Sequence, residues 1–232
     1  MNIPVREAVS SRRGALRRLM VVLCLVMTVT SLSAKGKEAP DTISARRAFV
    51  EMPALVLDLL PVDTRLDMLA YFDADSIWDA TNEFEGKSRL VDVTPDYLKV
   101  DITPVTSMQI KVLHAPKGDV VLTIYTTGGD GESKDSDIRF YDASMKELDA
   151  SKYFKVPLLK DFFNIPKGSA TKMSEIEDLM PFYTIDFNAS PDSDTLTGTL
   201  TPGDFLTVED MKIVSLFMQP TVTYTWDGKK FK

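Results

Sequence analysis

Few residues in this 232-residue chain could do chemistry: His114 is the only histidine and Cys24 the only cysteine. Cys24 lies inside an apolar run, Leu19 to Val29, preceded by Arg6, Arg12, Arg13, Arg17 and Arg18 and followed by the small residues Ser31, Ser33 and Ala34. That order is the build of a secretory signal, with cleavage expected after Ser33 or Ala34. A lipoprotein cysteine closes the apolar core, whereas Leu25, Val26 and Met27 continue past Cys24. Cys24 is therefore expected to leave with the signal rather than to carry a lipid. Ser11 to Leu16 partly follow a twin-arginine pattern, but Ala15 replaces the usual Phe, which favours ordinary export. Without a cysteine and with one histidine, the mature chain has no Cys-His pair and no thiolate or multi-histidine zinc site. A serine triad would need His114, which sits beside Ala115-Pro116 at a strand end with no nucleophile-elbow sequence; it reads as a surface or edge residue. Gly128, Gly129 and Gly131 lack the Gly-Lys-Ser/Thr ending of a phosphate loop. No metal and no cofactor is expected.

Carboxylates are the one reactive type in surplus. Asp130, Glu132, Asp135 and Asp137 crowd one loop, and Asp73, Asp75 and Asp79 crowd the end of a helix. Neither stretch has the spaced aspartates, glycine and distant glutamate of a calcium loop, so both read as solvated acidic turns. A glycoside hydrolase needs two carboxylates facing across a cleft, and no catalytic pair is named from the sequence. Aromatic residues suggest contact instead of catalysis. Tyr224 and Trp226 share one face of the last strand, and Trp78 lies at a helix-to-sheet junction. All three are candidates for a binding surface, weighed against core packing, which the alternation with Val222 equally produces.

The elements that must position these residues follow from periodicity. Thr42 is expected to cap a helix through Ile43, Phe49 and Val50 up to Pro53. Residues 61–73 predict a second helix, capped by Asp63 or Thr64, with Leu66, Leu69 and Phe72 as its core stripe and Met68 beside it. From Ser88 the period becomes two: Leu98, Val100 and Ile102, then Met108, Ile110 and Val112, then Val120, Leu122 and Ile124 each mark one face, with polar residues between. Pro104 and Ala115 to Gly118 supply hairpin turns for a half-buried antiparallel sheet. A further pair is expected between Ile138–Tyr141 and Tyr153–Phe154. Ser174 and Glu177 predict a capping box, "FYTIDF" and "TLTGTL" a strand pair, Thr207 with Asp210 a helix ended by Pro220, and Asp227-Gly228 a final turn. Segregated runs of strands and helices point to an α+β fold: antiparallel meanders with helices on one face, in one domain over residues 41–232 or as two sub-lobes. Residues 35–40 read as a flexible linker after the 1–34 signal.

The stretches "LLPVDTRLDMLAYFD", "GKSRLVDVTPDYLKV", "IRFYDASMKEL", "EIEDLMPF" and "VTYTWDGKKF" together resemble domain-of-unknown-function family 3256. These are small exported proteins of Gram-negative gut and oral bacteria. The resemblance implies a cell-envelope address, periplasmic or secreted, and brings no activity or functional residue. Charge narrows the partners. The chain has 27 basic and 34 acidic residues; the signal removes five and one of them, leaving net −11 over 198 residues. An acidic body of that kind repels nucleic-acid backbones. Two functions stay open: a non-enzymatic module binding an envelope protein or glycan, and a carboxylate-dependent hydrolase of glycan or peptide.

Overall fold

The computed structural model describes residues 41–76, 78–129, 133–202 and 206–232. The signal, the linker, Cys24, Asp130 and Glu132 lie outside the described residues. Two short helices come first, α1 (Ala45–Glu51) and α2 (Val62–Asp73). A seven-stranded antiparallel meander follows: β1 (Ala80–Thr81), β2 (Lys87–Val93), β3 (Tyr97–Thr103), β4 (Thr106–Leu113), β5 (Val120–Thr127), β6 (Asp135–Asp142) and β7 (Glu147–Leu148). The second half holds α3 (Met173–Leu179), β8 (Thr184–Ala189), β9 (Thr195–Thr201), α4 (Val208–Ser215) and β10 (Thr221–Thr225), with β9 central in a three-stranded antiparallel sheet. The architecture is α+β, as the segregated patterns predict.

The expected half-buried sheet is buried on both faces at its centre. Leu98, Val100, Met108, Ile110, Val112 and Val121 pack under α1 and α2. Leu113, Val120, Leu122, Ile124 and Phe140 face the opposite way, into a core completed by Ile176, Phe187, Leu196, Val214 and Trp226 of the second half. The polar positions between apolar ones are thus not solvent-facing: Gln109, Lys111 and Thr123 are buried as well.

Several local readings shift. Ser44, not Thr42, caps α1 by accepting the Arg47 amide at 3.2 Å. Pro61 precedes α2 and no side chain caps it, so Asp63 and Thr64 lie inside the first turn. Leu66 is 49% exposed, and the buried stripe is Arg65, Met68 and Leu69. Arg65 is buried because α1 ends above it: its guanidinium donates to the carbonyls of Phe49, Val50, Met52, Leu57 and Leu60 at 2.6–3.2 Å. It satisfies the orphan carbonyls of a helix terminus that has no other cap. The box of α3 sits two residues early, with Glu175 accepting the Lys172 amide at 3.4 Å, so Ser174 and Glu177 do not form it. Thr207 caps α4 as expected, accepting the Asp210 amide at 3.1 Å. Ile138–Tyr141 belong to β6, which pairs with β5 and β7; Tyr153–Phe154 follow a 3₁₀ turn and bond the C-terminal segment instead, through Phe231 N–H to the Tyr153 carbonyl at 2.8 Å.

The second sheet is fastened by side chains from the first. Gln109 on β4 accepts the Ala189 amide at 3.0 Å and donates to Asn188 at 3.0 Å, while Ser136 on β6 accepts the Phe187 amide at 3.0 Å. These donors belong to the outer edge of β8, which would otherwise be buried unpaired. Lys111 reaches the carbonyl of Pro191 at 3.3 Å in the β8–β9 turn.

Candidate functional site

The three aromatic candidates do not form one surface. Trp78 is half-buried on the helical face, stacked on Tyr71 with ring centroids 4.4 Å apart and bordering a cavity of about 220 Å³. Tyr224 and Trp226 belong to the opposite core. Tyr224 meets Phe154 edge-on at 5.0 Å and borders a different hollow from Trp226. Trp226 is only 7% exposed and packs against Tyr153 at 6.2 Å and Phe231 at 5.4 Å.

What Trp226 does border is a hollow of about 630 Å³. That volume falls within the roughly 300–1,000 Å³ of small-ligand sites. Three turns converge on it. The β4–β5 turn contributes Ala115 to Val120, the β6–β7 turn Asp142 to Ser144, and the C-terminal turn Trp226, Gly228 and Lys229; Leu148 and Tyr153 complete the wall. Each turn has a local cause. Gly118 (φ 125°) and Gly228 (φ 88°) adopt left-handed conformations open to glycine, and Asp227 accepts the Lys229 and Lys230 amides at 2.9 Å each. Those amides and the Lys232 ammonium hold the Asp227 carboxyl down at about 2, the Lys232 contact first among them.

His114 ties the cleft together from behind. Its Nδ1 is 2.8 Å from Asp119 Oδ1 and its Nε2 is 3.5 Å from Asp96 Oδ2. Asp119 Oδ2 also accepts the Ile43 amide at 3.0 Å, and its own amide donates to the Asp41 carbonyl, which pins the entry to α1 against the β4–β5 turn. The His114 carbonyl in turn accepts the Trp226 indole N–H at 3.1 Å. The Asp119 hydrogen bond raises the imidazole above its ordinary value, against the opposing pull of burial. His114 is an exposed residue at the strand end, as the sequence reading has it, and there it bridges two aspartates.

Two of the three carboxylates that line the cleft, Asp119 and Asp142, are committed to hydrogen bonds. Asp119 serves His114 and Ile43. Burial acts to raise Asp142, but hydrogen bonds from Ser144 and the Lys146 amide outweigh it and hold the carboxyl below the ordinary range. A general acid needs the opposite shift. Three carboxylates of the acidic turns are likewise paired: Asp73 with Arg46 at 2.6 Å, Asp79 with Arg89 at 2.6 Å and Asp137 with Arg139 at 2.7 Å. Among the described residues no three His, Cys, Asp or Glu side chains are grouped to hold a metal ion. No helix among them is long and apolar enough to cross a membrane. Sequence reasoning missed the cleft because its walls come from turns spread from residue 41 to residue 229; only the Asp227-Gly228 turn and Trp226 signalled it.

Residues 41–231 match the model of the DUF3256 family, described as a protein of unknown function, and the chain belongs to that family. No curated protein matches. Among solved structures, a domain of an uncharacterized protein from Porphyromonas gingivalis W83 is similar, with TM-score 0.67 and 22% identity over 81% of this chain and 96% of that one. At that identity the likeness concerns the fold.

Proposed function

We propose that this member of the DUF3256 family is an exported, non-enzymatic binding module of the Gram-negative cell envelope, which takes a partner protein or glycan in the cleft beneath its C-terminal turn. The observation that carries this reading is the composition of that cleft. Apolar and aromatic groups (Pro116, Val120, Leu148, Tyr153, Trp226) form the wall, Lys117, Lys229 and Asp41 stand on it, and the Asp119 and Asp142 carboxylates are already hydrogen-bonded. Such a wall supplies contact area with a few orienting charges. A hydrolase would instead need two carboxylates with separated proton affinities facing one bond, and Asp142 is shifted the wrong way.

Export is supported by the arginine-led apolar leader at residues 6–34. Intact-mass measurement on protein from its native host tests it; a mature N-terminus at Ala34 or Lys35 is expected, and an acylated Cys24 would overturn it. For binding, a photocrosslinker placed at Lys117 or Lys229 is expected to capture a discrete envelope protein or glycan, more at low than at high salt because an acidic body steers basic partners. The same probe at exposed Phe84 serves as the control. Equal capture at all three positions, or turnover of a glycan or peptide by the purified protein, would reject the binding reading.

A further inference from the structure

The strand edges of this protein are guarded unequally. Where β6 runs beyond its short pairing with β7 it carries Asp135, Asp137 and Arg139, and β2 beyond β1 carries Arg89 and Asp92, charges that keep a bare edge from pairing with another chain. β8 is closed by Gln109 and Ser136. β10, Thr-Val-Thr-Tyr-Thr, has no charge and no proline and consists of residues that strands favour. Its inner side is set by the ladder. The Leu200 amide donates to the Pro220 carbonyl at 2.7 Å and the Trp226 amide to the Asp194 carbonyl at 2.9 Å. Residues 220, 222, 224 and 226 therefore bond β9, and the amides and carbonyls of Thr221, Thr223 and Thr225 point outward. The chain itself closes both ends of that outer side: Gln219 donates to the Phe162 carbonyl at 2.7 Å, and Thr225 exchanges two bonds with Lys232, at 2.9 and 3.1 Å. Between these closures Thr221 and Thr223, both exposed, have no hydrogen bond on the outer side among the described residues.

Beside this gap, between residues 155–161 and the Thr225 end of the strand, lies a hollow of about 400 Å³. Val156, 56% exposed, gives it an apolar wall together with Pro157, Tyr224 and Phe231. Lys155 and Lys230 stand on that wall with no ion pair among the described residues. Lys232 is held by Asp227 at 2.6 Å, and Asp161 accepts the Leu158 amide at 2.8 Å.

We infer that the gap in β10 is a second binding site, independent of the aromatic cleft, which takes the free C-terminal end of a partner protein as a short added strand. Main-chain pairing sets the class of ligand: outward N–H and C=O groups at Thr221 and Thr223, one strand repeat apart, match an extended peptide backbone. The closed ends set its length. Phe162 and Lys232 already occupy the edge on either side, so a through-running strand or the edge of another sheet, a second copy's β10 included, cannot lie along it. A chain end of about three to five residues can, at roughly 3.3 Å per residue. Charge sets its direction. A segment running parallel to β10 brings its terminal carboxylate to Lys155 and Lys230, whereas the reverse direction brings an ammonium there. The acidic body does not steer such a segment from a distance, so the carboxylate is recognised by contact.

Amide exchange followed by NMR tests the free protein first. Thr221 and Thr223 are expected to exchange rapidly while Val222 and Tyr224, bonded to β9, stay protected; protection of all four would overturn the proposal. Selection from random pentapeptides displayed with free C-termini then supplies the probe. Selected peptides are expected to slow exchange at Thr221 and Thr223, and to lose about tenfold in affinity on C-terminal amidation or in the Lys155→Gln, Lys230→Gln double variant. Thr223→Pro removes one outward N–H at an edge position where proline is tolerated, and should abolish enrichment while its spectrum shows a native fold. Lys117→Gln, in the aromatic cleft, should change nothing. No enrichment over the Thr223→Pro protein, or affinity unchanged by amidation, would overturn the proposal and leave the reading of the aromatic cleft untouched.

Discussion

The two faces of the central sheet are closed in different ways. On one, two short helices cover the strands, and a single buried cation, Arg65, gathers five carbonyls, three where α1 ends and two in the loop before α2. On the other, a second sheet lies across the strands, and the amide of Gln109 both gives and accepts hydrogen bonds along the edge of β8. The helix terminus exposes only acceptors, so its fastener must be a multiple donor, and the planar fork of arginine provides it. The strand edge exposes donors and acceptors alternately, which a carboxamide matches without carrying a charge into the core. Burial of the guanidinium lowers the affinity of Arg65 for its proton, the cost of using a cation there.

The largest expected effect is at Arg65. Replacement by Met removes the desolvated charge, which favours the variant, but leaves several buried carbonyls without a donor at about 1–3 kcal/mol each. The second effect dominates, and a loss of about 3 kcal/mol or more in denaturant unfolding is expected for Arg65→Met. Arg65→Lys should recover only part of it, because an ammonium cannot span five carbonyls. Hydrogen exchange sharpens the contrast: Arg65→Met should loosen α1 and α2 first and leave β8 to β10 protected.

Gln109→Leu is the counterpart on the other face. It leaves the Ala189 amide buried without its acceptor and is expected to cost about 2 kcal/mol, with exchange rising first in β8. If either variant loosened both faces equally, the two fasteners would not be independent and the comparison would fail. Gly198→Ala probes the same face by packing alone. A Cβ there would sit 2.7 Å from the Phe187 ring, its ladder partner, so about 1–2 kcal/mol of overpacking is expected, relieved by Phe187→Leu in the double variant.

The smallest effect concerns His114, which lies at the edge where both cores meet the aromatic cleft. Its folded-state proton affinity is raised by Asp119, so its stabilisation is complete below the ordinary 6.5 and is lost as pH rises through the higher folded value. The ring is 61% exposed in its side chain, so screening keeps the effect below about 1 kcal/mol. His114→Asn should flatten stability against pH just above 6.5 and leave the acid and alkaline limbs unchanged; an unaltered profile would show that the brace carries no linkage.

Much of this fold is legible in the chain because its causes are local. Alternation placed β3, β4 and β5, the Pro104 and Pro116-Lys117-Gly118 stretches placed their turns, and Thr207 with Asp210 marked the start of α4, since each signal acts within a few residues. Caps shifted by two residues, to Ser44 and Lys172. Of the site, the sequence marked Trp226 and the turn after it, but gave no reason to join them to Ala115–Val120 or Asp142–Ser144.

By itself, then, the sequence determined the strand faces, the hairpins, the acidic charge and the absence of thiol or multi-histidine chemistry in the body after residue 34. Only the tertiary structure decided that the polar residues of β4 are interior. Gln109 looks outward on a period-two reading and becomes a fastener only because Ala189, 80 residues away, lies over it. Arg65 has the helical position of a solvated charge and is buried because the end of α1, 13 to 16 residues earlier, brings carbonyls to it. Periodicity reports which residues share a face, whereas burial depends on what covers that face. Here both coverings, and the cleft between the turns they bring together, are contributed by segments distant in the chain.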